Sequence, residues 1–149
     1  EEVYDPEIPV LSVVDLGIIR DIKIYDQNIE IFITPTYSGC PAMDVIAMNI
    51  RMALLQNGFN EIKITQQLSP AWTTDWMTEK GKQKLTAYGI APPVGKTFDK
   101  KYLEEEIKVE CPQCHSMNTR LLSQFGSTSC KALYQCKDCL EPFDYFKCH

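Results

Sequence analysis

The chain has 149 residues, which is enough for one ordinary domain or for a compact domain with a small module attached. Hydrophobic residues make up 44% and charged residues 23%, a composition that excludes an intrinsically disordered chain. The 15 basic and 20 acidic side chains give a net charge of −5 without any Lys/Arg cluster, which disfavours binding to a nucleic-acid backbone.

Membrane insertion and secretion are also disfavoured. No uninterrupted apolar stretch approaches the roughly 20 residues of a membrane helix, because Asn49 and Arg51 interrupt the most hydrophobic segment. No signal peptide pattern is visible, so we expect a cytoplasmic protein with no membrane partner. The sequence begins at Glu1 without a Met, which leaves the true N-terminus open.

The first part of the chain predicts an α+β domain. Residues 21–25 and 29–34 each alternate apolar and polar side chains, and Asp26-Gln27-Asn28 between them is typical of a turn, so they indicate a β-hairpin. A helix is predicted from Ala42 to Asn57, with Gly58 placed to cap it. Its apolar residues lie nearly all round, so we expect it to be largely buried.

The elements that follow complete this domain. Residues 61–65 alternate again and predict a strand, and its connection to the hairpin through a helix favours parallel pairing. Residues 78–88 predict a short helix ended by Gly89. We therefore expect a small mixed sheet with packed helices.

Prolines at positions 92 and 93 and Gly95 indicate a boundary, and residues 96–106 are a charged connector. The predicted organisation is an α+β domain at 1–91, a linker at 92–106 and a small all-β module at 107–149.

The cysteines of the C-terminal module indicate a zinc ribbon. Cys111 and Cys114 form one Cys-x-x-Cys pair, and Cys136 and Cys139 form a second after 21 intervening residues, close to the usual zinc spacing. Residues 119–125 and 131–135 are the candidate strands. A module of this size gains the stabilisation it needs from one structural zinc ion per chain. Four cysteines without metal are the alternative.

Two further cysteines and both histidines lie in the same module. Cys130 and Cys148 are six and nine residues from the nearest predicted ligand, too far along an extended strand to bind the same ion. They are either a second thiol pair or two buried small side chains. His115 follows the first cysteine pair and His149 ends the chain, and neither is a strong ligand candidate.

Cys40 is the lone cysteine of the first domain. Pro41 suits the first position of a helix, which makes Cys40 the predicted N-cap, with a pKa lowered by the helix amides. No histidine precedes residue 115 to act as its base, so a soft ligand for iron or a cluster is favoured over a nucleophile. A packed, purely structural cysteine is the alternative.

Carboxylates and tryptophans complete the set of candidates. Asp5, Glu7 and Asp15 precede the first strand and are expected to share a surface with Cys40, or alternatively to cap turns. Trp72 and Trp76 stand four apart on a predicted helical turn, where they serve either as a partner anchor or as half-buried core residues.

Several segments carry a family resemblance. Residues 5–17 (Asp-Pro-Glu-Ile-Pro-Val-Leu-Ser-Val-Val-Asp-Leu-Gly), 34–42 and 70–76 (Pro-Ala-Trp-Thr-Thr-Asp-Trp) resemble the SufT-like iron–sulfur assembly domain family. The segments 125–136 and 141–148 are similar to the tail of PaaD-like accessory proteins of bacterial phenylacetate degradation, which append a zinc ribbon. The resemblance spans essentially the whole chain.

The resemblance implies an accessory or maturation factor for a metal centre, either an iron–sulfur cluster or a di-iron site, of the multicomponent phenylacetyl-CoA epoxidase. The functional cysteine of the family falls on Cys40, which implies a transient cluster or iron, and Asp15, Thr34 and Thr36 match other characteristic positions. The implied partners are epoxidase subunits and the iron–sulfur assembly machinery, with a homodimer as one option.

The residues themselves agree that the chain is not the oxygenase. A di-iron carboxylate enzyme uses Glu-x-x-His pairs on bundle helices, and this sequence contains no Glu-x-x-His. The alternative function is a non-catalytic scaffold or interaction subunit of the epoxidase complex.

Overall fold

The computed structural model describes residues 2–94 and 107–147. The chain divides into two compact units, Glu1–Gly81 and Lys82–His149. Most of the predicted linker, together with Cys148 and His149, lies outside the described residues.

The first unit holds a three-stranded sheet, one long helix and the start of a second helix. Its elements in chain order are β1 (Ile19–Tyr25), β2 (Asn28–Ile33), α1 (Ala42–Gln56), β3 (Glu61–Gln66), a 3₁₀ turn (Thr74–Trp76) and α2 (Glu79–Tyr88), which continues into the second unit.

The sheet has the order β1-β2-β3 and the predicted topology. β1 and β2 pair antiparallel from Tyr25↔Asn28 outward, and Asp26 takes a left-handed conformation (φ 53°) in the tight turn between them. β3 pairs parallel to β2, with Ile31 opposite Ile64, which confirms the crossover through α1. The expected mixed sheet with packed helices is therefore confirmed.

Helix α1 is buried on one face only. Ala42, Met43, Ile46 and Ile50 are buried, as their spacing on a helix requires for a single packed stripe. The apolar side chains on the opposite face are about half exposed: Val45 40%, Met48 52%, Met52 53% and Leu55 51%. The prediction of a largely buried helix is wrong, because no described element of the first unit covers the second apolar stripe.

The segment before β1 belongs to the core although it forms no regular element. Ile8, Leu11 and Leu16 are almost completely buried within it. Gly17 ends the segment at φ +66°, and a Cβ atom at this position would lie 2.0 Å from the carbonyl oxygen of Trp76. Only glycine permits both this left-handed conformation and this close approach.

The second unit contains a four-stranded sheet. Its strands are β4 (Ile90–Ala91), β5 (Thr119–Ser123), β6 (Lys131–Cys136) and β7 (Pro142–Phe146), in the order β4-β7-β6-β5. β5, β6 and β7 pair antiparallel, whereas the two-residue β4 pairs parallel to β7. β4 precedes the predicted linker, so the boundary at residue 91 stays a prediction.

Within the described ranges, neither helix combines the length and hydrophobicity that crossing a bilayer requires.

Candidate functional site

Four cysteines of the second unit converge on one point. The sulfur atoms of Cys111, Cys114, Cys136 and Cys139 all lie within 4.8 Å of one another. The Cys111–Cys139 distance is 3.7 Å and the Cys114–Cys136 distance is 3.5 Å. A tetrahedral zinc ion with Zn–S bonds of ~2.3 Å requires sulfurs ~3.8 Å apart, so this donor set fits zinc.

Both Cys-x-x-Cys loops have the same backbone design. The residue after each second cysteine is left-handed: His115 has φ 61° and Leu140 has φ 68°. In the first loop the Cys111 N–H donates to the Ser116 carbonyl at 2.9 Å, and in the second the Cys136 N–H donates to the Glu141 carbonyl at 3.0 Å. These turns bring two sulfurs to the same side of each loop.

Backbone amides favour the Cys136 thiolate, whereas burial and the neighbouring sulfurs raise the pKa of Cys114 and Cys139. The Cys139 N–H lies 3.5 Å from the Cys136 sulfur, and such amide donors lower the pKa of Cys136 to about 7. Asp138 joins the two loops, since it accepts hydrogen bonds from the Ser116 hydroxyl and from the Asn118 side chain. The site is therefore closed and structural, with all four positions occupied by sulfur.

Cys130 and His115 lie outside the four-sulfur site. The Nδ1 atom of His115 is 2.7 Å from Glu110 at the surface. Cys130 is buried, and its sulfur lies 3.1 Å from the Thr128 hydroxyl. Whether Cys130 pairs with Cys148 stays open, because Cys148 is outside the described residues.

Cys40 lies two residues before α1, where the strand β2 has given way to a loop. The predicted cap is one residue off: α1 begins at Ala42, and Pro41 holds the capping position. Pro41 itself has helical φ −68° and ψ −20° and makes no side-chain cap bond, whereas the Ala42 N–H hydrogen-bonds the Cys40 thiol. The thiol is half-buried in this loop.

The predicted lowering of the Cys40 pKa is also wrong. Burial raises the pKa of Cys40, and the negative charges of Glu7 and Asp5 raise it further. Hydrogen bonding from the Ala42 N–H and the Tyr37 side chain opposes these effects without reversing them. Cys40 is consequently a neutral thiol at pH 7, with carboxylates near it as the sequence predicts.

Asp5 and Asp15 both hold the N-terminal segment in place, and of the two only Asp5 acts on the Cys40 thiol among the described contacts. The Oδ1 atom of Asp5 accepts hydrogen bonds from the backbone N–H groups of Glu7 at 2.7 Å and Ile8 at 2.8 Å. Asp15 is buried and accepts from the Ser12 hydroxyl at 2.9 Å and from the Thr78 hydroxyl at 3.1 Å. Asp15 thus links the N-terminal segment to the start of α2.

Thr34 and Thr36 follow β2 in the same loop as Cys40. Thr34 is 1% exposed, and its hydroxyl has no hydrogen-bond partner in the described part of the chain. An unpaired buried hydroxyl costs about 1–3 kcal/mol, which makes it a position where a ligand could supply the missing bond. Thr36 is half-buried.

The two tryptophans have different roles, and the prediction that they share one helical turn is wrong. Trp72 is buried in a loop and donates from Nε1 to the Leu16 carbonyl at 2.9 Å. Trp76 ends the 3₁₀ turn, and the guanidinium of Arg20 stacks 3.4 Å above its ring. Sequence reasoning missed Arg20, which stands in no recognisable motif, and Tyr37, which lies in the resembling segment 34–42 but was given no role.

Comparison with known proteins agrees with both units. The PaaD zinc beta ribbon domain matches residues 96–147, and the iron–sulfur cluster assembly protein family matches residues 1–63. The chain is also 50% identical over 147 residues to an Escherichia coli K12 protein named as a candidate component of 1,2-phenylacetyl-CoA epoxidase, covering 99% of this chain and 87% of that protein. The chain belongs to the PaaD family.

Two further matches each cover just over half of this PaaD family member. A Porphyromonas gingivalis W83 protein named Fe-S protein maturation auxiliary factor is 38% identical over 85 residues, covering 56% of this chain and 80% of that protein. The crystal structure of a domain of unknown function, DUF59, from Bacillus anthracis superimposes with a TM-score of 0.54 at 31% identity, covering 57% of this chain and 82% of that chain. The predicted family, fold class and zinc ribbon are confirmed.

Proposed function

We propose that this PaaD family member is an accessory factor that helps to mature a metal centre, an iron–sulfur cluster or a di-iron site, of a phenylacetyl-CoA epoxidase. The observation that carries the proposal is the 50% identity to the candidate epoxidase component, because it covers both units of the chain. The maturation factor that resembles the first unit supports the same assignment. The chain itself is not the oxygenase, since its sequence contains no Glu-x-x-His.

Cys40 is the residue proposed to hold the iron or cluster, which is cargo and not a resident cofactor. Its thiol is half-buried rather than sealed, and the acidic Glu7 lies near it. A thiol with a raised pKa must lose its proton when its sulfur binds metal. This cost weakens metal binding and favours release of the metal. This property suits a carrier better than a storage site.

The other predicted residues have supporting roles. Thr34 offers a buried hydroxyl without a partner in the described residues, and Thr36 stands two positions further along the same loop. Asp15 holds the N-terminal segment against the start of α2 through its bonds to Ser12 and Thr78. We assign metal contact to Cys40 and Glu7, and positioning to Asp15.

The zinc ribbon is the proposed docking module. Its four-thiolate site has no open coordination position for chemistry, so its contribution is a stable surface. Epoxidase subunits and the iron–sulfur assembly machinery in the cytoplasm are the proposed partners, and a homodimer is compatible with the proposal.

Metal analysis after anaerobic reconstitution tests the Cys40 assignment. The full-length chain is produced with iron and sulfide, and zinc, iron and acid-labile sulfide per chain are measured for the wild type, Cys40→Ser and Cys130→Ala. We expect one zinc in all three proteins, with iron and sulfide lost only in Cys40→Ser. Cys130→Ala is the control, because it removes a thiol that belongs to neither site.

An activity assay separates the proposal from its alternative. The wild type or Cys40→Ser is added to the separately produced epoxidase subunits while they are reconstituted, and epoxidation is measured. Full activity with Cys40→Ser would contradict metal handling and favour a non-catalytic scaffold.

A further inference from the structure

The ribbon sheet has a free edge at β5. In the order β4-β7-β6-β5, strand β5 pairs with β6 alone among the described residues. Alternate residues of an antiparallel edge strand direct their backbone N–H and C=O groups away from the neighbouring strand. At the start of β5 the Thr119 N–H already donates to the Met117 carbonyl and the Thr119 hydroxyl to the Val109 carbonyl, so a further strand would pair through the backbone of Leu121 and the residues after it.

A groove of about 450 Å³ runs along this edge. Three consecutive β5 residues, Thr119, Arg120 and Leu121, line it. Of its lining residues, Ile107 and Leu121 also pack against the ribbon core, so these two side chains are only partly open to the groove.

The groove combines positive charge with apolar surface. Lys108, Arg120 and Lys137 supply the charge, and none of the three forms an ion pair within the described ranges. The Arg120 guanidinium donates to the neutral side chain of Gln135, at 2.7 and 3.2 Å. These cations are grouped although the chain as a whole carries a net charge of −5, and the carboxylate of Asp138 lies beside them through its 2.7 Å bond with the lining residue Asn118.

Apolar side chains occupy the same groove. Ile107, Met117 and Leu121 line it beside the cations, and Met117 is half exposed. A nucleic acid would use the cations but not these aliphatic side chains. An acidic peptide with alternating apolar residues would use both.

We propose that this groove binds an acidic, extended segment of a partner protein, which adds as a strand to β5. Its carboxylates pair with Lys108, Arg120 and Lys137, and its apolar side chains contact Ile107, Met117 and Leu121. Peptide recognition by strand addition takes affinity from backbone hydrogen bonds and specificity from the side chains. The proposal deepens the docking role that the proposed function gives to the ribbon, but it does not depend on Cys40.

Fluorescence anisotropy with defined peptides tests the proposal on the zinc-loaded full-length chain. The probe is a labelled peptide in which Glu alternates with Val. Three control ligands are compared with it. They are the same peptide with Lys in place of Glu, the Glu peptide N-methylated at alternate backbone nitrogens, and a single-stranded oligonucleotide. We expect saturable binding of the Glu peptide alone, because N-methylation removes the donors that strand pairing needs.

A triple variant tests the cations. Lys108→Gln with Arg120→Gln and Lys137→Gln should weaken binding by at least about tenfold. The control carries Lys23→Gln, Arg51→Gln and Lys63→Gln in the first unit and should bind like the wild type. Zinc content, measured on every variant, shows that the ribbon is intact. Cys40→Ser should also bind like the wild type, which separates this proposal from the cargo role.

Four outcomes would overturn the proposal. They are no saturable binding up to about 1 mM peptide, equal binding by the triple variant, equal binding of the N-methylated peptide, and tighter binding of the oligonucleotide. The sequence also places Glu104, Glu105 and Glu106 directly before Ile107. If replacing these three glutamates by Gln tightened peptide binding at least about tenfold, the proposal would also be overturned. The groove would then be occupied by the chain's own acidic segment and not by a partner.

Discussion

At the scale of single residues, the environment of Cys40 decides what its sulfur can do. Burial and the nearby acidic side chains favour the neutral thiol, whereas the Ala42 N–H favours the thiolate. The effect of burial and of the acidic side chains is the larger one, so Cys40 is a poor nucleophile at neutral pH. A metal ion would compete with a proton for this sulfur.

The charge of Glu7 provides a test of this balance. Glu7→Gln removes a negative charge that raises the Cys40 pKa, so the pKa should fall and more thiolate should form at each pH below it. The pH profile of Cys40 alkylation by iodoacetamide, followed by peptide mass spectrometry, should move to lower pH. Glu61→Gln removes an equal charge at the exposed start of β3 and should leave the profile unchanged. An unmoved profile in Glu7→Gln would contradict the assigned environment.

Gly17 is a residue whose replacement should be severe. In Gly17→Ala the new Cβ would lie 2.0 Å from the Trp76 carbonyl oxygen at a left-handed φ, and we expect a loss of about 3 kcal/mol or more. Gly58 is also left-handed, but nothing lies within 4 Å of a Cβ there, so Gly58→Ala should cost about 1 kcal/mol. Urea unfolding followed by tryptophan fluorescence measures both losses, since both tryptophans lie in the first unit. Equal losses would show that the backbone at Trp76 can move away from the new Cβ at little cost in free energy.

The zinc ligands and the Cys40 environment differ in how far sequence determines them. Cys-x-x-Cys spacing is local, and it identifies four residues that the fold then brings within 4.8 Å. The Cys40 pKa depends on burial and on Glu7, which is 33 positions away in the sequence. Helix-end reasoning included only the amides and therefore gave the wrong direction.

At the scale of elements, α1 has two apolar faces with different environments. One packs in the core, and the other carries Val45, Met48, Met52 and Leu55 at the surface. The hydrophobic pattern of a sequence shows which side chains are apolar, but it does not show whether another element covers them. The sequence therefore predicts the helix and its bounds but overestimates its burial.

Truncations on the two faces of α1 should differ in cost. Ile46 is 1% exposed, and Ile46→Ala should lower the free energy of unfolding by about 2–5 kcal/mol because it leaves a cavity. Met48 is 52% exposed, and Met48→Ala should change it by less than about 0.5 kcal/mol. The same fluorescence-detected urea titration compares them. A large loss in Met48→Ala would mean that its face is covered in solution.

The sequence separation between two paired strands also limits how well they can be predicted. β1, β2 and β3 show period-two alternation, and neighbouring chain segments complete the hairpin. β4 has two residues, and its partners in β7 are Asp144 and Tyr145, more than 50 positions away. A pairing of this kind leaves no periodic signal in so short a segment.

At the scale of the whole molecule, the two units differ in what stabilises them. In the described part of the second unit, the main core cluster holds eight buried residues, and two of them, Cys111 and Cys136, are zinc ligands. So small a core supplies little stabilisation, and metal binding supplies much of the rest. The first unit has a larger aliphatic core and no predicted resident metal.

Loss of one ligand should unfold the ribbon selectively. Cys111→Ser should reduce zinc from one ion per chain to nearly none and remove the hydrogen-exchange protection of β5, β6 and β7. The amides of β1, β2 and β3 should stay protected, and Cys40→Ser should retain both zinc and protection. Zinc analysis and hydrogen exchange with mass spectrometry measure these effects. A protected ribbon in Cys111→Ser treated with chelator would contradict the structural role of zinc.

The five methionines differ in exposure, so their oxidation can report which surfaces of the chain are accessible. Met43 and Met77 are each 4% exposed, whereas Met48, Met52 and Met117 are each about half exposed. Peroxide should convert the last three to sulfoxides first, since oxidation follows access to the sulfur. Met48 and Met52 mark the outer face of α1, and Met117 marks the groove beside β5. Brief oxidation of a complex would thus show, from the methionines that stay reduced, which of these two surfaces a partner covers.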